Sequence, residues 1–436
     1  MAAWLLSSIL LLLGLHTALG TKPACRIRIT SPGLQLLRSE ALKFVAEELE
    51  NISIADFTGK EGPLHYSISG VQITDLDLST ASLSFRPDAG LQFEVKNSSI
   101  SVTFHRDMLY WLIQDIGQIN ASAEGANIWT VLNLSKSQHG QLRISKVSCT
   151  ASIARMHAKF TGSFRGFYEL VSSLLMTGLR FLINQQICPA LEHSALVLLN
   201  SLLATVPVRM SVDPFVGIDY SFLSDPDVKA DWMDMEFKGM FYPVDSENDT
   251  LVNNAIVPLV KSSQRMVYIS VSEYFFDSAM YSYYKAGVLK TEIPESKMSV
   301  DLAYLLRTTF FGAIILLESR LNAKVSLKGK KLGMKLDLKR FRMHSSKSTL
   351  ESLALIPLQT PMKALLHFTV MPIINARTLE GVQIPLPEGI DLINETMRNH
   401  MGFLSIGADL HFYKGLREVI NMNKQILSSS NTTVSN

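Results

Sequence analysis

The stretch from Gly217 to Phe241 divides this chain of 436 residues into two halves of like design. Each half reads as a strand, an amphipathic helix, a run of alternating strands and a second apolar helix. A chain of this length exceeds one ordinary core, and two domains of roughly 200 residues each are expected. The pattern predicts an α+β protein of two similar lobes joined across a shared seam.

In the first half a short strand, Arg26 to Thr30, precedes Pro32-Gly33, which opens a helix. Leu34, Leu37, Ala41, Phe44, Val45 and Leu49 line one face of that helix. The next hundred residues switch to period two: Leu83/Phe85, Leu91/Phe93/Val95 and Ile100/Val102/Phe104 alternate with polar residues, and Pro87 to Gly90 marks a turn. A leucine-rich helical region from about Phe164 to Ala204 follows, with a break expected at Pro189. The second half repeats the scheme. A strand at Met266 to Ser270 leads into a helix at Ser272 to Ala286, and strands run around Leu321 to Leu338. A helix from Leu350 to Thr378 is punctuated by Pro357, Pro361 and Pro372, and a strand from Leu404 to Phe412 closes the half.

Hydrophobic residues make up 47% of the chain and charged residues 18%, which leaves more apolar surface to bury than an ordinary core needs. Either all of it packs together or part lines a cavity for an apolar ligand. For a first-lobe pocket the expected residues are Leu34, Leu37, Phe44, Val71, Ile73, Leu174, Leu175, Leu179 and Leu182, each of which equally suits plain core. Tyr110, Trp111 and Leu112 follow a strand and precede Gly117; such a cluster either caps the lobe or dips into a lipid surface.

Residues 21–210 carry 17 Lys and Arg against 15 Asp and Glu, and residues 211–436 carry 24 against 24. Neither half has the basic excess that nucleic acid demands, so no nucleic-acid partner is expected. The basic run Lys328, Lys330, Lys331, Lys335, Lys339, Arg340 and Arg342 reads as the solvent face of strands. No Gly-x-Ser-x-Gly elbow, His-Glu-x-x-His, Cys-x-x-Cys or glycine-rich phosphate loop occurs, and the histidines lack ligand spacing. No enzyme, metal or cofactor is expected.

Residues 1–20 read as a secretory signal peptide, with an apolar run from Trp4 to Leu15 and small residues at Ala18 to Gly20. No later stretch is expected to reach membrane-spanning length free of charge or proline. Seven glycosylation sequons, at Asn51, Asn97, Asn120, Asn133, Asn248, Asn394 and Asn431, fit a secreted chain. Three cysteines leave one bridge and one odd thiol in an oxidising compartment. A bridge between Cys149 and Cys188 would clamp helix to sheet across a loop of roughly forty residues, worth about 3–4 kcal/mol in the chain-entropy model. Cys25 is then the odd one.

The seam also carries a resemblance. Gly217-Ile218-Asp219-Tyr220-Ser221, Pro226 and Phe237-Lys238-Gly239, with the runs Arg26 to Ser31, Ile119 to Gly125, Asn184 to Pro189, Thr205 to Val208, Leu353 to Leu358 and Val382 to Gly389, resemble the lipid-transfer family that includes lipopolysaccharide-binding protein and bactericidal/permeability-increasing protein. The resemblance implies a two-lobed boomerang, each lobe a twisted antiparallel β-barrel wrapped around long helices and joined by a central antiparallel sheet. It implies one apolar lipid pocket per lobe and a disulfide between Cys149 and Cys188. The expected divisions are 1–20 signal peptide, 21–210 N-terminal lobe, 211–260 central sheet and linker, 261–420 C-terminal lobe, and 421–436 a flexible polar tail. Between Leu317 and Glu318 the chain lacks roughly fifty residues of the family pattern, several strands at ordinary lengths, so the C-terminal barrel is expected to be incomplete.

The expected activity is carriage of phospholipid, and of sterol or tocopherol, between lipoprotein particles or membrane surfaces. A lipopolysaccharide recogniser of the same fold is the first rival, although it would want a cationic tip on the first lobe. A secreted lipase is the second, and it needs a nucleophile the sequence does not display.

Overall fold

The computed structural model describes residues 22–158, 165–288, 315–345 and 356–422. The signal-peptide span, Asn431 and nearly all of the 421–436 tail lie outside them. All strand pairings are antiparallel. A six-stranded central sheet runs in the order β10 (Asp227–Val228), β11 (Trp232–Phe237), β1 (Cys25–Thr30), β13 (Val267–Ser272), β18 (Phe403–Phe412) and β17 (Ile390–His400). The span 211–260 thus supplies two of its strands, and the others come from the chain's start and from its second half. The seam is assembled by tertiary pairing, with β1 between β11 and β13.

The N-terminal lobe wraps β2 (Phe57–Glu61), β3 (Leu64–Leu76), β5 (Gly90–Tyr110), β6 (Ile113–Lys136) and β7 (Leu142–Ala158) into one sheet, with β4 (Ser82–Arg86) hydrogen-bonded to β5. Two of the alternating runs, around Leu91 and Ile100, form the single strand β5. The join is a bulge at Asn97 and Ser98, where Asn97 takes a φ of 48°, so the alternation resumes in phase with the core after one irregular step. Inside lie α1 (Ser31–Glu50) and α2 (Arg165–His193). Val171, Leu175, Leu179, Ile183, Ile187 and Leu191, spaced by four, form the buried stripe of α2.

Pro189 does not break α2, contrary to the sequence expectation. Its flanks are held: Ile187 and Leu191 are buried, and Cys188 is bonded to Cys149 of β7 with a Cα–Cα separation of 5.6 Å. The helix continues through a wide π-turn, Ser194–Leu199, into α3 (Asn200–Ala204). Val171 to Ala204 is therefore long and apolar enough to cross a membrane by length and composition, although Arg180, Pro189 and Glu192 interrupt it, as the sequence reading holds. Its stripe against the sheet and its disulfide make it the core helix of this lobe. Cys25, the odd thiol, is buried, and burial pushes it up to about 12.

In the C-terminal lobe β14 (Ile315–Lys328) and β15 (Lys331–Ser345) form a long hairpin joined by β16 (Val382–Gln383). Among the described residues this sheet has three strands against the six of the other lobe. Lys331, Lys335, Lys339, Arg340 and Arg342 face solvent on β15, alternating with buried Leu332, Leu336, Leu338, Phe341 and Met343. α4 (Glu273–Lys285) packs at the seam, and α5 (Ile356–Leu365) passes through a π-turn, Leu366–Val370, into α6 (Met371–Glu380). The prolines do not divide this helix: Pro361 lies inside α5, Pro372 occupies the first turn of α6, and the helical run continues past both. Residues 416–422 form a last helix, α7, so the expected tail begins inside an ordered element; Val419 and Ile420 pack on Phe44, Leu198 and Leu202.

The two lobes share one device. After each π-turn an asparagine grips a strand backbone: Asn200 accepts from Ile144 N–H at 2.7 Å and donates to its carbonyl at 2.9 Å, and Asn375 does the same to Leu336 at 2.7 and 2.8 Å. The Asn200→Ala variant leaves both Ile144 groups half-buried without partners and should lose about 2 kcal/mol of stability. An unchanged urea midpoint would contradict this.

Candidate functional site

The seam motif is held together by local chemistry. The Asp219 carboxylate accepts from the Ser221 amide at 2.9 Å, the Ser221 hydroxyl at 2.6 Å and the Lys238 ammonium at 3.1 Å. Burial alone would raise its pKa, but the Ser221 hydrogen bonds and Lys238 outweigh burial and hold it below the ordinary carboxylate value. Gly217 is required because a Cβ there would sit 2.4 Å from the Tyr242 ring. Gly239, at φ 57°, turns the chain against Cys25.

The tip of the β5–β6 hairpin exposes a cluster of large apolar side chains. Trp111 is 72% exposed, Leu112 96% and Ile116 69%, with Leu109, Tyr110 and Ile113 beside them. Six apolar side chains within eight positions form a contiguous patch of the kind soluble surfaces avoid. Trp111 holds a φ of 56°, which a bulky residue adopts only at a cost of about 1–2 kcal/mol. That conformation closes the two-residue turn and leaves the indole standing outward. Below the tip Arg106 pairs with Asp115 at 2.7 Å, and Gln114 donates to Asp107 at 3.0 Å, so the hairpin is clamped by its own polar residues.

Each lobe holds an apolar cavity. The N-terminal one, about 90 Å³, lies between α1, α2 and the sheet, with Ala41, Phe44, Val45, Phe93, Leu191 and Leu199 on its walls and Leu416 of α7 at its edge. Its single charged lining residue, Glu48, accepts from the Ser194 hydroxyl at 2.8 Å and pairs with Arg417. The C-terminal cavity, about 60 Å³, lies between α4, α6 and the β15 strand, and its single charged lining residue is Arg377. Spaces of this size admit the leading part of a chain, well short of the ~300–1,000 Å³ of a drug-sized site. A whole acyl tail therefore requires helix side chains to shift.

Of the nine residues expected in the pocket, Phe44 alone lines the first cavity. Leu34, Val71, Ile73, Leu175 and Leu179 are buried in the lobe core, Leu37 and Leu182 are partly buried against it, and Leu174 stands 36% exposed on the outer face of α2. The cavity lies further along both helices, at Ala41 to Glu48 and Leu191 to Leu199. The i, i+4 apolar spacing there matches that of the earlier turns, so periodicity carries no signal for where side chains fail to meet. Among the sequons Asn51, Asn97, Asn120, Asn248 and Asn394 are exposed and Asn133 is half-buried in β6.

Sequence models of both domains of one family match, the N-terminal domain over residues 33–205 and the C-terminal domain over residues 210–320 and 314–412. The chain belongs to the LBP/BPI/CETP family. The C-terminal match falls in two pieces that meet near Leu317, where the missing strands were expected. Within the family, the phospholipid transfer protein of Homo sapiens is 46% identical over 469 aligned positions, covering 95% of this chain and 94% of that protein. Lipopolysaccharide-binding protein of Bos taurus is 27% identical over 319 positions, covering 72% of this chain and 66% of that protein. The crystal structure of lipopolysaccharide binding protein superposes with a TM-score of 0.67 at 20% identity, covering 90% of this chain and 100% of that one. The two-lobed family fold is thus the fold of this chain.

Proposed function

We propose that this family member is a secreted, non-enzymatic carrier that moves phospholipid between lipoprotein particles or membrane surfaces. The observation that carries the reading is the 46% identity to a phospholipid transfer protein, spread over nearly the full length of both chains. Physical need supports it. Exposing the roughly thirty methylenes of a two-tailed lipid to water costs on the order of 25 kcal/mol at ~0.8 kcal/mol each, so unassisted exchange is slow. A carrier that docks by an apolar hairpin tip and shields the tails between helix and sheet lowers that barrier without a nucleophile or metal. The pocket residues proposed from sequence act by widening the cavity around Phe44, and the tip residues Tyr110, Trp111 and Leu112 act as the surface anchor. A leader-like N-terminus, a disulfide and five exposed sequons support secretion. The lipopolysaccharide reading is disfavoured because the tip is apolar and Arg106 below it is paired with Asp115.

The test is transfer of labelled phospholipid between donor and acceptor vesicles by the full chain. Transfer above the spontaneous rate with no fatty acid released is expected. Absence of transfer, or release of fatty acid, would overturn the reading.

A further inference from the structure

The two cavities differ in the sign of the charge on their walls. Glu48 in the first is already engaged by Ser194 and Arg417, and an anion there repels phosphate. Arg377 borders the second, at the C-terminal end of α6, with its side chain 35% exposed. It is held in place from behind. Asp213 accepts the Phe215 and Val216 amides on Oδ1 at 2.8 and 2.9 Å, and the Tyr283 hydroxyl and Arg377 Nη1 on Oδ2, both at 3.0 Å. Four donors fill that carboxylate, so it has no capacity for a fifth and serves to aim the guanidinium. Arg377 also lies 5.3 Å from the Phe215 ring. Among the described residues nothing else engages its remaining N–H groups, while Phe275, Phe276, Val325 and Leu332 form the apolar space beside it.

We infer that Arg377 is the head-group anchor of the C-terminal cavity and selects lipids that carry a phosphate over neutral lipids with the same tails. The inference rests on the carrier reading and adds a residue and a preference to it. A guanidinium fixed on one edge presents its open edge as a planar pair of donors, the geometry that suits two phosphate oxygens. A diacylglycerol or sterol brings no group to engage it. The apolar space beside it places the phosphate on a lipid; free phosphate would gain nothing from Phe275 or Leu332.

The test uses the full chain with photo-activatable phosphatidylcholine and diacylglycerol of identical chains, reading labelling of the segment 273–285. In wild type, phosphatidylcholine should label this segment more strongly than diacylglycerol. R377Q should lose roughly tenfold in phosphatidylcholine labelling there and keep its diacylglycerol labelling. R377K, which retains the charge beside Asp213 but not the fork, should fall between them and guards against a folding defect in R377Q. Inorganic phosphate should not displace the phospholipid. An unchanged ratio in R377Q, an equal loss of both lipids, or displacement by inorganic phosphate would overturn the assignment. Wild-type protein that is labelled by neither lipid would remove the carrier reading and this inference together.

Discussion

Replacing Asp234 by alanine is expected to cost about 3–5 kcal/mol of stability, the largest single-residue effect foreseen at the seam. Arg28 of β1 faces Asp234 of β11 across the central sheet and binds it bidentately through one edge, Nε to Oδ1 at 2.6 Å and Nη2 to Oδ2 at 2.7 Å. Its third nitrogen donates to the Val260 carbonyl at 2.8 Å, and its plane lies 3.8 Å from the Trp232 ring. Both partners are buried, and Arg26 with Glu236 repeats the pairing two residues along the ladder. Removing the carboxylate strands a guanidinium out of water, where the loss exceeds anything an exposed pair could show. Replacing both partners by apolar residues of like volume, Arg28→Met with Asp234→Leu, should recover most of the loss, because the pair costs desolvation as well as supplying attraction. Denaturant midpoints of the two single variants and the double variant measure the coupling. A loss below about 1 kcal/mol in D234A would mean the pair is hydrated in solution.

The second large effect is on surface binding. With Trp111 and Leu112 both replaced by aspartate, affinity for phospholipid vesicles should fall by more than about a hundredfold. Each large apolar side chain withdrawn from water contributes roughly 1.5–3 kcal/mol. Stability should hold or rise slightly, since neither side chain is packed and aspartate tolerates the left-handed backbone at position 111 better than tryptophan does. Vesicle co-sedimentation together with thermal unfolding separates the two readouts. Retained vesicle binding by a folded double variant would assign docking to another surface.

The elements themselves were legible because their signals are local. The stripe of α2 and the alternation of β5 appear in the sequence as periods of 3.6 and 2, and these depend only on which face meets the core. The seam was legible as a motif, and its residues now have reasons: Gly217 yields to the Tyr242 ring, and Asp219 ties Ser221 to Lys238. Proline misled at positions 189 and 361; at 189 a break is a local preference of a few kcal/mol that the buried Ile187 and Leu191 on either side outweigh. The tip was visible as a cluster but undecided between core and surface. Its exposure depends on β5 and β6 pairing through Tyr110 and Ile113 to project the turn beyond the lobe.

By itself the sequence determined two lobes, their order of helices and strands, and the family. All of these follow from residue spacing and from runs of like wording along the chain. Tertiary structure alone decided where side chains fail to fill space. A cavity is a mismatch between elements far apart in sequence, as where Phe44 of α1 faces Leu191 of α2 and Phe93 of β5. It likewise decided the charges at the cavity walls. Arg377 meets Asp213 across 164 positions of chain, a juxtaposition that no local period records.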